Sequence, residues 1–278
     1  MTRYWLGCCG WAYEDWVGPF YPPGTPAGEF LERYARVFRA VEVDASFYRP
    51  PSPAHVRRWA ERTPAGFRFT LKVPRAVTHE RGTPATSGAA LDAFVASLAP
   101  LREAGKLGAI VLQFPPSFRH PRDGERLASL LGRIDPTVPL AVELRHDSWW
   151  LPETRRRLEE RRAALVWSVT PDADPPPWAT SDFLYARCVG DRALERFDRI
   201  QRPQPGVLER LHRRFDDEGR SATTVFAFSN NHFMGFGPGT VVAMAQELGE
   251  PAPDLGRAAR RPGQSVLSDR GEGPLDGP

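Results

Sequence analysis

The sequence predicts an α/β fold of the TIM (β/α)8 type, a closed barrel of eight parallel strands, and three observations point there. Eight short apolar runs recur at roughly 30-residue spacing, with helical-period segments between most of them, the signature of βα units and a parallel sheet. The length of 278 residues suits one such barrel, which commonly takes about 250. No G-x-G-x-x-G or P-loop follows any run, which removes the main support for an open dinucleotide-binding sheet.

The strands are expected at residues 4–9, 40–44, 67–73, 108–114, 140–145, 164–169, 183–189 and 223–229. Helices fall between them. Residues 29–38 place Phe30, Leu31, Tyr34, Val37 and Phe38 on one stripe. Residues 53–62 open on a Ser52-Pro53 start signal. Residues 87–104 follow a Thr-Ser-Gly turn and carry Leu91, Phe94, Val95, Leu98 and Leu101; segments 124–134, 152–162, 205–218 and 238–248 complete the set. After the sixth strand the proline-rich stretch 171–179 reads as a loop instead. The barrel domain therefore spans residues 1–249. Residues 250–278, rich in Gly, Pro, Arg and Asp and without apolar period, read as a disordered or loosely attached tail whose Arg257, Arg260 and Arg261 read as solvated sooner than as a contact for an anionic surface.

Composition narrows the class. A hydrophobic share of 41% supplies a core, and a net charge of +3 permits an anionic ligand without demanding one. Arginine outnumbers lysine and there are 29 prolines, a bacterial, GC-rich bias. Cys8, Cys9 and Cys188 form neither a disulfide framework nor a metal spacing. With no basic leader followed by an apolar run, and no apolar run long enough for a bilayer, a cytoplasmic protein without membrane contact is expected.

Apolar residues must face the helices, and this assigns the parity of each strand. Val41 and Val43 outward leave Glu42 and Asp44 inward; Phe67, Phe69, Leu71 and Val73 outward leave Arg68, Thr70 and Lys72 inward. Val111 and Gln113, Glu143 and Arg145, and Tyr185 and Arg187 also point inward. Barrel interiors are more cheaply filled with Val, Ile and Leu, so these charges must pair. The lower members, Glu42 and Arg68, read as a structural ion pair. Those nearer the C-terminal strand ends read as functional, because barrel active sites sit at that face.

The stretch Glu143-Leu144-Arg145-His146-Asp147-Ser148-Trp149-Trp150 is the richest strand end, charged on one face and closing in acid–base groups. Other strand ends bring Trp11, Asp44 to Arg49, Lys72 with His79 beyond it, Gln113, and Asn230-Asn231-His232. Amides with aromatic plates suit a hydroxylated or anionic small molecule. The candidate catalytic residues are Glu143, Asp44, Lys72 and His146; the candidate substrate contacts are Arg145, Trp11, Tyr48, His79, Gln113, Arg187, Asn230 and Asn231. Trp11, Trp149 and Trp150, taken singly, also read as packing.

Several ordered motifs carry a resemblance. Gly10-Trp11 with Asp15-Trp16 and Phe20-Tyr21-Pro22 is followed by Asp44-Ala45-Ser46-Phe47-Tyr48 and by Lys72-Val73-Pro74 with Thr78-His79. Then come Gln113-Phe114-Pro115-Pro116-Ser117-Phe118, Glu143-Leu144-Arg145-His146 with Ser148-Trp149, and Asn230-Asn231. Over residues 4–248 the chain resembles the YecE-like family, domain of unknown function 72. The resemblance implies a TIM barrel related to isomerases, with no established activity. Cys8-Cys9 stand where that family usually has small hydroxyl residues, and Val189-Gly190 where it has His-Gly.

Three functions compete. In the first, a hydrolase, lyase or isomerase uses Glu143 and Asp44 as acid and base, with Lys72 and Arg145 holding anionic oxygen. A Schiff-base role for Lys72 needs an apolar or cationic setting, and the nearby acids oppose it. In the second, a divalent metal held by scattered His79, His146 and His232 beside Asp44 and Glu143 serves phosphodiester chemistry or nucleic-acid binding. No H-x-H or H-x-x-E pair supports that set, so no metal ligand and no cofactor is assigned. The third is a ligand-binding barrel without turnover.

Overall fold

The computed structural model describes residues 2–80, 83–170, 173–218 and 222–259. Eight parallel strands close on themselves in chain order: β1 (Arg3–Cys9), β2 (Ala40–Val43), β3 (Arg68–Lys72), β4 (Leu107–Gln113), β5 (Leu140–Glu143), β6 (Ala164–Val169), β7 (Phe183–Cys188) and β8 (Thr224–Ser229). β8 returns to β1, with Trp5 opposite Phe226 and Cys8 opposite Ser229. The barrel has no free edge, so every strand is buried on both faces.

The helices are α1 (Phe30–Val37), α2 (Pro53–Glu61), α3 (Arg75–Thr78), α4 (Pro84–Ser97), α5 (Ala99–Glu103), α6 (Gly124–Arg133), α7 (Pro152–Arg161), α8 (Pro205–Glu218), α9 (Asn231–Met234) and α10 (Gly237–Glu247). None of them is long and apolar enough to cross a membrane. Ser52 caps α2 by accepting from the His55 N–H at 3.3 Å. The single helix expected over 87–104 starts earlier, capped by Thr83, which accepts from Thr86 N, and it breaks at Leu98. Pro100 is the cause: it lacks an N–H, and its ring clashes with the carbonyl four residues back.

The parity assignment holds. Val41, Val43, Phe67, Phe69 and Leu71 join the shell between sheet and helices. The interior instead holds Trp5, Phe183 and Phe226 toward the N-terminal end, with Val111, Ala141, Val166, Tyr185 and Phe228 above them. Closure of β1 onto β2 depends on Gly7, where an added Cβ would meet the Ala40 carbonyl oxygen at 2.1 Å. Tyr34 inserts its hydroxyl there, accepting from Cys8 N at 2.7 Å and donating to Ala40 O at 2.9 Å. Tyr34→Phe leaves both buried backbone groups without that partner. We expect it to lower stability by about 1–3 kcal/mol, read as a shift of the urea midpoint; an unchanged midpoint would show the bridge to be idle.

Two expectations are corrected. Glu42 and Arg68 are not a pair, because Arg68 sits at the N-terminal mouth with its guanidinium 4.9 Å from the Trp5 ring centre while Glu42 bonds upward. The stretch from residue 250 is also not loose from its start. Leu255–Ala258 forms a 3-10 turn, Ala258 is fully buried, and its carbonyl accepts from Arg33 Nη1 at 3.1 Å. Arg260, Arg261 and the rest of the expected tail lie outside the described residues.

Candidate active site

Arg187, inward from β7 and 1% exposed, is the centre of the upper barrel. Its Nε donates to Glu42 Oε1 and Oε2 at 2.9 and 3.0 Å, and its Nη2 lies 2.7 Å from Glu42 Oε1. Its Nη1 donates to Glu143 Oε2 at 2.6 Å and to Gln113 Oε1 at 3.2 Å, and Nη2 reaches Asp44 Oδ1 at 3.5 Å. Glu42 also accepts from Tyr185 OH at 2.6 Å and from the Cys9 thiol at 3.2 Å; Tyr185 OH in turn meets Thr70 Oγ1 at 2.7 Å. Glu143 Oε1 accepts from Arg145 Nε at 2.6 Å, and Lys72 Nζ pairs with Asp44 Oδ1 at 2.8 Å. Three carboxylates (Glu42, Asp44, Glu143) thus face three cations (Lys72, Arg145, Arg187). This pairing is what allows so much charge to be buried.

Electrostatics fixes their protonation. Burial alone would raise the Glu143 carboxyl, but Arg187, then Arg145 and Lys72, outweigh it and bring it down to about 2. Asp44 is likewise lowered, burial being overcome by Lys72 and Arg187. Burial, then Glu42 and Asp44, push the Cys9 thiol well up, so it stays protonated and donates. Cys9, Glu42 and Asp44 each offer a ligand atom within 4.8 Å of the others. These residues do not fit a divalent ion, because both Glu42 oxygens and Asp44 Oδ1 already serve guanidinium, phenol, thiol and ammonium donors.

Above the network the C-terminal mouth opens as a cavity of about 490 Å³. Asp44, Tyr48, Lys72, His79, Gln113, Arg145, Arg187 and Asn230 all line it, so most of the residues singled out from sequence converge here. Ser46 helps fix its floor: its hydroxyl lies 2.7 Å from Val43 O and 2.8 Å from Lys72 O, holding the start of the second loop to the end of β3. Glu143 lies beneath the cavity with no exposure.

His146, Trp11 and Asn231 are placed elsewhere. The His146 ring caps its own turn, accepting from Ser148 N at 3.1 Å. Trp11 packs edge-on against Trp59 and Phe69, with ring centres 5.6 and 6.5 Å apart. Asn231 is buried, its Oδ1 accepting from Trp16 Nε1 at 3.2 Å and Gly237 N at 2.8 Å. Among the described residues, His79, His146 and His232 form no ligand cluster. Sequence reasoning missed two wall residues, Arg75 and Arg192. Arg192 adopts φ 61 two residues after Gly190 at φ 78, a tight turn that only the lone glycine hinted at.

A second hollow, of about 430 Å³, opens at the N-terminal mouth around Trp5 and Arg68. Size does not choose between the two. The charge network, and the tendency of barrel chemistry to sit at the C-terminal face, favour the upper one.

Comparison with known proteins agrees with this architecture. The chain is 33% identical over 151 residues to UPF0759 protein YunF of Bacillus subtilis, which is 53% of this chain and 52% of that protein. It is 30% identical over 146 residues to UPF0759 protein YecE of Escherichia coli K12, 52% and 50% of the two chains. The chain thus matches about half the length of these curated relatives. The crystal structure of a DUF72 family protein from Thermotoga maritima superposes with a TM-score of 0.76 at 28% identity, covering 90% of this chain and all of that one. One from Enterococcus faecalis shares the fold, with a TM-score of 0.74 at 24% identity over 91% and 98% of the two chains. Residues 5–265 match the family described as "Protein of unknown function DUF72", a span that runs past Leu248, where the motif resemblance stopped. On the motifs, the closed barrel and this match, the chain belongs to the DUF72 family.

Proposed function

We propose that this barrel is an acid–base enzyme, a hydrolase, lyase or isomerase, whose substrate is a small anion held at the C-terminal mouth. One observation carries the reading: among the described residues, the cavity wall presents Lys72, Arg75, Arg145, Arg187 and Arg192 against a single carboxylate, Asp44. Lys72 and Asp44 pair within it, and Arg75 meets Glu80 at 3.3 Å. Arg192 has no carboxylate partner among the described residues. A concave, partly desolvated surface with surplus positive charge favours phosphate or carboxylate oxygens, while Gln113 and Asn230 offer amides to hydroxyl groups.

Calorimetry with inorganic phosphate and sulfate tests it. Both anions should bind saturably and more weakly as salt is raised. Arg192→Gln should weaken them by about tenfold or more, the value of one charge-assisted hydrogen bond of about 1.5–3 kcal/mol. Binding that is absent, or unchanged in that variant, would sink the reading. A binding barrel without turnover is supported by Val189, which lines the cavity where the family motif carries His. A panel of phosphorylated and carboxylated small molecules, assayed for turnover, separates the two.

A further inference from the structure

We propose that His79, through its free Nε2, is the residue that takes and returns a proton at this site, a reading that rests on the anionic ligand proposed above. The other acid–base groups are engaged. Glu42 and Glu143 have no exposure, and their oxygens already serve Arg187, Tyr185 and Arg145. Asp44 is tied to Lys72 at 2.8 Å. His232 also lines the cavity, but its Nδ1 is buried without a partner among the described residues. Its ring is further held edge-on to Phe197, centres 4.9 Å apart.

His79 differs on each point. It follows α3 and lines the cavity. Its Nδ1 lies 2.8 Å from the Oγ1 of Thr78, itself 1% exposed, and its ring meets Phe47 edge-on with centres 4.8 Å apart. Two contacts therefore fix the ring plane, and Nε2 has no hydrogen-bond partner among the described residues. The proposal assigns the tautomer in which Nδ1–H donates to Thr78 Oγ1, which leaves the lone pair on Nε2. In the reaction Nε2 forms an N–H bond while a C–H or O–H bond of the substrate breaks. The electron pair stays on the substrate, and nothing is oxidised or reduced.

The surroundings make this base answer to the ligand. Burial, then Arg145 from the end of β5, Arg75 from α3, Lys72 from β3 and Arg126 from α6, hold the imidazolium down to about 4. Glu143 on Arg145, Glu80 on Arg75 and Asp44 on Lys72 offset part of that field, and burial with the cations still outweighs them at His79. Without ligand His79 is neutral and a weak base. An oxyanion docked among these cations cancels their field and adds an attractive charge, which moves such a group upward by about 1–3 pH units. Base strength then nears the operating pH, where proton transfer is most efficient. The site becomes basic when it is filled.

Histidine NMR titration of the full chain, alone and with saturating sulfate, tests this. Sulfate stays a dianion throughout, and His79→Gln identifies the resonance among six histidines, the other five reporting that the variant is folded. The expected result is a midpoint near 4 without sulfate that rises by about one pH unit or more with it. Arg145→Gln should raise the sulfate-free midpoint by itself. An ordinary midpoint in both states overturns the proposal. So does a midpoint that stays put while calorimetry shows sulfate bound, in which case the anionic reading survives. If sulfate does not bind at all, that reading fails and this one with it.

Discussion

Arg187→Met should cost about 3–5 kcal/mol of folding stability, a large part of the roughly 5–15 kcal/mol that holds a domain together. The replacement is apolar and similar in length, so little packing is lost. What is lost is the guanidinium that bonds Glu42 and Glu143, both without exposure. Two carboxylates are then left in the barrel with Tyr185, Cys9 and Arg145 as their remaining donors. The pH dependence identifies the cause. In the parent, Glu143 is depressed from its ordinary 4.5 to about 2. Its contribution is therefore complete above about 4.5 and lost as pH falls toward 2. In the variant burial dominates and raises the Glu143 carboxyl above its unfolded value, so stability should increase as pH falls from neutrality. Urea unfolding at pH 7, 6 and 5 would show the variant gaining stability toward acid over a range in which Glu143 leaves the parent unchanged. A variant within about 1 kcal/mol of the parent, or with the parent's slope, would mean that Arg187 is not what makes the buried acids tolerable.

Much of this site is legible in the chain because a strand alternates with a period of two. Once Val41 and Val43 are turned toward the helices, Glu42 and Asp44 have only the interior left, and the same step places Lys72, Gln113, Glu143 and Arg187. Parity gives the side of the sheet but not the height. Arg68 shares the parity of Lys72, yet at about 3.3 Å per residue it lies four residues below, at the opposite mouth, where it stacks on Trp5. That is why the Glu42–Arg68 pair fails while the Glu42–Arg187 pair forms. Loops carry no such rule. Trp11, His146 and Asn231 follow strand ends as closely as Tyr48 and Asn230 do, but the backbone turns them into packing or capping. Arg75, at the start of the one-turn helix α3, and Arg192, in a loop, enter the wall from segments whose direction no periodicity encodes. The terminal segment misled for another reason. Its composition is that of a disordered chain, yet one 3-10 turn buries Ala258 and meets Arg33 on α1.

Asp44→Asn and Lys72→Met should shift anion affinity in opposite directions, and that contrast is the sharpest probe of what the mouth binds. The pair is the part of the charge network that reaches the cavity, with side chains 26% and 11% exposed and Nζ 2.8 Å from Oδ1. Asn at position 44 keeps the shape and removes the one carboxylate on the wall. Lys72 and Arg187 are then free to give their charge to the ligand, and phosphate should bind about 5–10-fold more tightly. Met at position 72 removes a cation and leaves Asp44 facing the ligand, with Arg187 at 3.5 Å as its compensation. Phosphate affinity should fall about 10–100-fold, or about 1.4–2.8 kcal/mol, the scale of one hydrogen bond to a charged group. Both variants keep Glu42, Glu143 and Arg187, so both should stay folded, and circular dichroism would verify it. A neutral hydroxylated ligand would respond otherwise, losing affinity in both variants because each removes a polar partner. Affinities that move the same way would therefore replace the anionic substrate with a neutral one while leaving the location of the site intact.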